Sequence, residues 1–242
     1  MSEYQICLVI GALVAFGIGA WQARFRSAGI IYPFVALLCA LIGARALSYL
    51  LHSDGSLPNS GFALDGGIAL GAIGVFATSI LLSSQPLPIL DGMALAAPAG
   101  IAIAKFGCVI SGCCYGLPTN YAWGISIEPG SHAHLAQIVN GKIDVLDAPL
   151  PLHPAQFYEI IAAVAMYIIV LLLLKKKVAS GIASATFGTL FFGVRACAYF
   201  WREPDISARL SPTIVSLLLG LVSVLFLVLI LWNSKTSRMI AK

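Results

Sequence analysis

The chain has 242 residues, of which 60% are hydrophobic and 10% are charged. A soluble domain carries about 25% charged residues, so this composition excludes a soluble globular protein. It predicts a single polytopic membrane domain over residues 1–242, with short loops. The formal net charge of +4 is modest and gives no indication of nucleic-acid binding.

Seven apolar stretches are long enough to cross a bilayer, because a transmembrane helix needs about 20 apolar residues. The sequence therefore predicts an all-α membrane protein with seven transmembrane helices. In chain order, the predicted spans are residues 4–22, 30–51, 64–83, 89–110, 157–174, 182–201 and 212–232.

Basic residues in the short loops predict the orientation of these spans. One side of the membrane carries Arg24, Arg26, Lys175, Lys176, Lys177, Lys235, Arg238 and Lys242, whereas the other carries Lys142, Arg202 and Arg209. The richer side is expected to be cytoplasmic, which puts the N-terminus outside and the C-terminus in the cytoplasm. The longest connection, residues 111–153, is then an outer-face loop region and is expected to form a small cap.

Ionisable residues within the spans are costly and usually face a cavity or a partner. Examples are Arg45, Asp65, Lys105, Glu159 and Arg195, with Arg202, Glu203 and Asp205 just beyond the sixth span. Their positions predict one outward-opening polar cavity. Guanidinium groups in such a cavity suit an anionic lipid headgroup, because they grip phosphate with a fork of donors. The alternative is a set of structural ion pairs, for example Asp65 with Lys105.

Two further motifs lie at the predicted outer ends of spans. The stretch DGGIALGAIG (65–74) has glycines at the spacing that lets helices approach closely; the alternative is that Asp65-Gly66-Gly67 lets backbone amides approach a phosphate. The stretch HPAQFYE (153–159) opens the fifth span, with Pro154 in its first turn. His153, Gln156 and Glu159 are three residues apart and are expected to share one helix face.

Six cysteines do not form the regular framework of a secreted disulfide-rich protein. Cys7, Cys39 and Cys197 lie singly in apolar stretches, which is typical of small buried hydrophobic residues. Cys108, Cys113 and Cys114 are concentrated at the end of the fourth span, in AKFGCVISGCCYGLPT (104–119). An ordinary span ends in aromatic and basic anchors, so this ending calls for another explanation.

Several stretches in this order resemble the prolipoprotein diacylglyceryl transferase family. The two most specific matches correspond to the family patterns His-Pro-x-Gln-x-Tyr-Glu and Arg-x-x-x-Glu-x-x-Arg-x-Pro-Asp. The matching stretches run through most of the chain and are IGARALSYL (42–50), DGGI (65–68), the AKFGC…YGLPT block (104–119), WGISIEPG (123–130), HPAQFYE (153–159) and RACAYFWREPD (195–205).

The resemblance implies a bacterial inner-membrane enzyme whose active site faces the outer side. Such an enzyme moves the diacylglyceryl group of phosphatidylglycerol, or a related anionic lipid, to the cysteine thiol of a lipoprotein precursor, without a metal or organic cofactor. In this sequence it implies that Arg195 and Arg202 hold the phosphate and Lys105 assists. Asp65 or His153 is then the proton acceptor. Further substrate-binding residues would be Gly66, Gly67, Gly116, Gln156, Tyr158, Glu159 and Tyr199.

The chain departs from the family's motifs at several positions. The family's His-Gly-Gly is Asp65-Gly66-Gly67 here, and the glutamate of the sixth-span motif is Tyr199. Its Gly-Arg-x-Gly-Asn is 104–108, with Lys105 for arginine and Cys108 for asparagine. Its Asn-Gly-Glu is 111–113, with Cys113 for glutamate.

These departures leave three hypotheses for Cys108, Cys113 and Cys114. They fill space, they perform redox or covalent thiol chemistry, or they bind a metal together with His153, although a CxxC pair is missing. A Cys108–Cys113 disulfide requires the helix to end first, which Gly112 permits. Two alternatives to the family's activity accordingly stay open: lipid or acyl transfer through the protein's own cysteines, and lipid or peptide binding without catalysis.

Overall fold

A computed structural model describes residues 3–24, 29–51, 62–202 and 211–240, and for residues 132 and 234–240 it describes the backbone. Five charged residues named above lie outside the described residues: Arg26, Glu203, Asp205, Arg209 and Lys242. Within the described ranges the chain is helical, with three isolated β-bridges and no strand.

Seven of the eight helices in the described ranges are long and apolar enough to cross a membrane, which confirms the predicted number of spans. The helices are α1 (Glu3–Ala23), α2 (Ile31–Leu51), α3 (Leu64–Leu81), α4 (Pro86–Ile110), α5 (His132–Val139), α6 (Ala155–Lys175), α7 (Ile182–Trp201) and α8 (Pro212–Ile240). Two spans begin two or three residues earlier in the structure than predicted. Helix α4 begins at Pro86 and α6 begins directly after Pro154, because proline suits a helix start.

Helix α4 is the centre of the bundle and is buried over most of its length. It packs against α1 and α6 and also contacts α2, α3 and α7. A core of buried apolar residues joins α4, α6 and α7, and includes Leu95, Met166, Val170, Phe187 and Phe191. Helices α2 and α3 form a second pair, and α8 packs on α7.

Glycine contacts bring two helix pairs together. A Cβ atom on Gly66 of α3 would lie 2.3 Å from the backbone oxygen of Gly43 on α2, and one on Gly11 of α1 would lie 2.6 Å from that of Gly100 on α4. Gly67 and Gly71 also face backbone oxygens of α2, at 3.1 and 3.2 Å. The structure therefore gives the glycines of α3 a role in close helix packing.

Asp91, near the start of α4, joins this helix to the start of α7. Its Oδ2 atom accepts a hydrogen bond from the amide of Gly181 at 2.7 Å, and its Oδ1 accepts one from the amide of Ser184 at 2.7 Å. The first amides of a helix have no partner within it. The carboxylate of one span thus caps another, a contact that the sequence analysis missed.

The connection between α4 and α6 is folded. It contains the short helix α5, whose cap residue Ser131 accepts a hydrogen bond from the amide of His134. The side chain of Gln137 exchanges two hydrogen bonds with the backbone of Leu150, at 2.9 and 3.0 Å. Helix α5 was not predicted, because eight residues are too few for a clear apolar period.

Candidate functional site

Charged side chains from four helices meet at one end of the bundle. Asp65 lies in the first turn of α3, Lys105 near the end of α4, Glu159 near the start of α6 and Arg195 near the end of α7. Each is at most 5% exposed. Buried charges are tolerated only when they are paired. The structure brings these four residues together in one region, as their positions in the sequence predicted.

Glu159 is the centre of this charged cluster. Its Oε2 atom lies 2.5 Å from Lys105 Nζ and 3.1 Å from Arg195 Nη1. Its Oε1 atom lies 3.7 Å from Arg202 Nη1, and among the described residues it has no hydrogen-bond partner. One carboxylate therefore serves three cations and keeps one oxygen without a hydrogen bond.

Asp65 holds the other side of the Arg195 guanidinium. Its Oδ2 atom accepts hydrogen bonds from Arg195 Nε and Nη2, each at 3.2 Å, and from Tyr199 Oη at 3.1 Å. Its Oδ1 accepts one from Ser216 Oγ at 2.7 Å. Both oxygens of Asp65 are thus occupied. Ser216, a polar residue in an apolar stretch of α8, was missed by the sequence analysis.

The pairing of charges differs from the ion pair considered in the sequence analysis. Asp65 pairs with Arg195, and Lys105 pairs with Glu159. Arg45 places its guanidinium 4.8 Å from the ring centre of Phe62. Tyr199, expected to bind substrate, contacts Asp65 and receives a hydrogen bond from Arg195 Nη2 at 2.6 Å.

The charged cluster has an excess of positive charge. It comprises three cations, Lys105, Arg195 and Arg202, against the two carboxylates of Asp65 and Glu159. The side chain of Arg202 is 20% exposed and that of Arg195 is 6% exposed. An anion of one negative charge that approaches along Arg202 would balance the cluster.

The motif at the start of α6 borders the same region. His153 precedes the helix, and its Nδ1 lies 3.3 Å from Tyr158 Oη. The side-chain Nε2 of Gln156 donates a hydrogen bond to the backbone oxygen of Cys113 at 2.7 Å. Gly116 is packed so tightly that a Cβ atom there would lie 2.5 Å from the Cβ of His153. Gly116 thus allows the loop after α4 to lie against His153.

An apolar groove of about 370 Å³ lies between α6 and α7 and reaches Glu159. Its lining is mostly aliphatic and aromatic, and comprises Ala155, Tyr158, Glu159, Thr189, Leu190, Gly193, Val194, Cys197, Ala198 and Trp201. Cys197 is exposed and lines this groove, so the expectation that it is a buried core residue was wrong. The groove supplies a hydrocarbon-like surface directly beside the buried charges.

The three thiols of the 104–119 block also come together. The Sγ atoms of Cys108, Cys113 and Cys114 all lie within 4.8 Å of one another, and all three are free thiols. His153, considered as a further metal ligand, does not belong to this group. Interactions with the other two thiols, followed by the positive charges of Arg202 and Lys105, hold the pKa of Cys114 below its ordinary value.

Comparison with known proteins gives one consistent family. The family described as prolipoprotein diacylglyceryl transferase matches residues 1–233. Proteins named phosphatidylglycerol–prolipoprotein diacylglyceryl transferase from Geobacter sulfurreducens and Coxiella burnetii are each 27% identical, over 84% of this chain and 78% and 77% of their own. One of that name from Cupriavidus pinatubonensis is 30% identical over 60% of this chain and 47% of its own. With this match over nearly its whole length, the chain belongs to the prolipoprotein diacylglyceryl transferase family, a family of membrane transferases.

Proposed function

We propose that this protein transfers the diacylglyceryl group of phosphatidylglycerol, or of a related anionic lipid, to the cysteine thiol of a lipoprotein precursor. The observation that carries the proposal is the buried charged cluster, with one positive charge in excess, beside an apolar groove. A lipid with an anionic headgroup and hydrocarbon tails matches both halves of this arrangement.

The cations are assigned to the lipid phosphate. Arg202 is the more exposed of the two arginines and meets the phosphate first, while Asp65 and Glu159 hold the guanidinium of Arg195 in a fixed orientation. Lys105 adds charge without a fork of donors. In the reaction the thiolate forms a bond to the terminal glycerol carbon, the carbon–oxygen bond to phosphate breaks, and the electron pair leaves with glycerol phosphate. Fixed cations stabilise that leaving charge.

The thiol proton goes to a base near the cluster, and we assign this role to His153 rather than to Asp65. Both oxygens of Asp65 already accept hydrogen bonds from Arg195, Tyr199 and Ser216. His153 uses Nδ1 toward Tyr158, and its Nε2 has no hydrogen-bond partner among the described residues. An imidazole is also the side chain whose ordinary pKa lies nearest neutrality.

We place the protein in the bacterial inner membrane, with the charged cluster toward the outer leaflet. The basic residues at Arg24 and Lys175–Lys177 support this orientation, because they follow α1 and α6 and would lie in the cytoplasm. The folded connection between α4 and α6 is then an outer-face cap beside the site. The donor lipid enters sideways along the groove, and the precursor peptide approaches from the outer face.

The test is a turnover assay with purified protein, phosphatidylglycerol and a lipobox peptide, followed by mass spectrometry of peptide and protein. The wild type is expected to add a diacylglyceryl mass to the peptide. Arg202→Ala is expected to lower the rate by about 10²–10³-fold, as loss of one charge-stabilising donor does. Arg24→Gln is the matched control, because Arg24 stacks on Trp21 away from the cluster.

Unmodified peptide with the wild type, or equal rates for wild type and Arg202→Ala, would refute the proposed function. A lipid adduct on Cys108, Cys113 or Cys114 would instead favour transfer through the protein's own thiols, for which their mutual proximity is the supporting observation. Lipid that copurifies with the protein without any turnover would favour a binding role.

A further inference from the structure

The proposed transfer reaction assigns no role to the three-thiol cluster of Cys108, Cys113 and Cys114. Their Sγ atoms lie within 4.8 Å of one another, in contrast to the remaining cysteines of the chain, Cys7, Cys39 and Cys197, which do not belong to the group. Cys108 lies in the last turns of α4, and the other two thiols lie in the turn that follows. The local backbone conformation explains how the three meet.

The backbone after α4 turns back and brings these thiols together. Helix α4 ends at Ile110, and Gly112 then adopts a positive φ of 64°. The chain turns back so that the amide of Cys113 donates to the oxygen of Cys108 at 3.1 Å. Cys114 itself has a φ of 60°, a left-handed conformation that non-glycine residues rarely adopt. Backbone held in this state is typical of functional positions.

A neighbouring helix fixes the turn that carries the cluster. Gln156 on α6 holds the backbone oxygen of Cys113 at 2.7 Å, so the turn is anchored to a second span. The thiolate is the form of cysteine that binds metals.

We propose that Cys108, Cys113 and Cys114 bind one thiophilic metal ion, Zn²⁺ or Cu⁺, through three thiolates. A tetrahedral zinc–sulfur bond of about 2.3 Å places the sulfur atoms about 3.8 Å apart, so the observed separations need closure by about 1 Å or less. Soft thiolate ligands select these two ions. With three protein ligands, a tetrahedral ion keeps its fourth position for an exchangeable ligand.

Metal binding by these thiols needs no oxidant, reductant or other reactant. Each thiol that becomes a ligand releases one proton to solvent, and no atom changes oxidation state. A disulfide within the cluster would require an oxidant to take up two electrons. The side toward Ser111 and Gly112 is exposed, which leaves a path for the ion, while Cys108 is only 6% exposed and forms the floor of the site.

The experiment measures metal content and does not depend on transfer activity. The full-length protein, purified in detergent, reduced and treated with a chelator, is incubated separately with Zn²⁺, Cu⁺ and Co²⁺ and then desalted. Metal per chain is determined by elemental mass spectrometry, and Co²⁺ is followed through its thiolate charge-transfer absorption. The variant Cys108→Ala/Cys113→Ala/Cys114→Ala removes the site, and the matched control Cys7→Ala/Cys39→Ala/Cys197→Ala removes as many thiols elsewhere.

Wild type and control are expected to retain about one ion per chain and to show the cobalt–thiolate band, as a Cys₃ site does. The cluster variant is expected to lose both. Circular dichroism and gel filtration check that each variant is folded, and single Cys→Ser variants replace the triple variant if it is not. Retention of Zn²⁺ alone or Cu⁺ alone supports the site and identifies the ion. Equal metal in wild type and cluster variant, or thiols recovered only as disulfide, would overturn the proposal.

Discussion

Glu159 is the residue whose replacement should disturb the charged cluster most. Its carboxylate faces Lys105 at 2.5 Å, Arg195 at 3.1 Å and Arg202 at 3.7 Å. At an effective dielectric constant of about 20, each of these attractions amounts to about 4–7 kcal/mol. Desolvation of the buried ions cancels most of that sum. Removing one partner of a buried pair has a net cost of about 3–5 kcal/mol.

We therefore expect Glu159→Gln to lower the free energy of unfolding by about 3–5 kcal/mol. The substitution keeps the shape of the side chain and leaves three cations with the single carboxylate of Asp65. The measurement is a denaturant titration in detergent followed by circular dichroism. Glu128→Gln is the matched control, because Glu128 is exposed and should change the unfolding free energy by less than about 0.5 kcal/mol. A similarly small change for Glu159→Gln would show that Glu159 does not hold the cluster together.

Three further substitutions test the packing around the site, each by the same unfolding measurement. Asp91→Ala removes the carboxylate that caps α7 and should cost about 1–2 kcal/mol; no loss would mean that water replaces the cap. Gly66→Ala places a Cβ atom 2.3 Å from a backbone oxygen of α2 and should cost about 1–3 kcal/mol, whereas Gly17→Ala meets nothing within 4 Å and should not destabilise. Ser216→Ala removes the hydrogen bond to Asp65 and should cost about 1.5–3 kcal/mol. Ser223→Ala, which loses a bond within its own helix, should cost less, and equal costs would contradict the assigned network.

The spans and the region where the charges meet were predictable, because both depend on position along apolar stretches. A helix of known length places Asp65, Lys105 and Glu159 at known depths. Which charge pairs with which was not predictable, since the pairing depends on helix rotation and on side-chain reach. The sequence suggested Asp65 with Lys105, whereas the helices bring Asp65 to Arg195 and Lys105 to Glu159.

Four of the departures from the family's motifs lie at positions that touch in the structure. Position 65 has aspartate for the family's histidine and position 199 has tyrosine for its glutamate, and these two side chains are hydrogen-bonded to each other at 3.1 Å. Positions 108 and 113, where cysteines stand for asparagine and glutamate, are likewise neighbours. These four departures therefore form two touching pairs. A sequence read alone presents them as four separate changes, because the partner lies on another helix or beyond a turn.

The cap that Asp91 provides has a consequence for the order of membrane insertion. Asp91 enters the bilayer with α4, 90 residues before Gly181, one of the two residues whose amides it accepts. A carboxylate at this depth is costly until it is paired. Both amide donors, those of Gly181 and Ser184, become available only when α7 is inserted. The final packing of the central helix α4 therefore depends on a span that is synthesised much later. In a chain that stops after α6, Asp91 therefore lacks both amide donors.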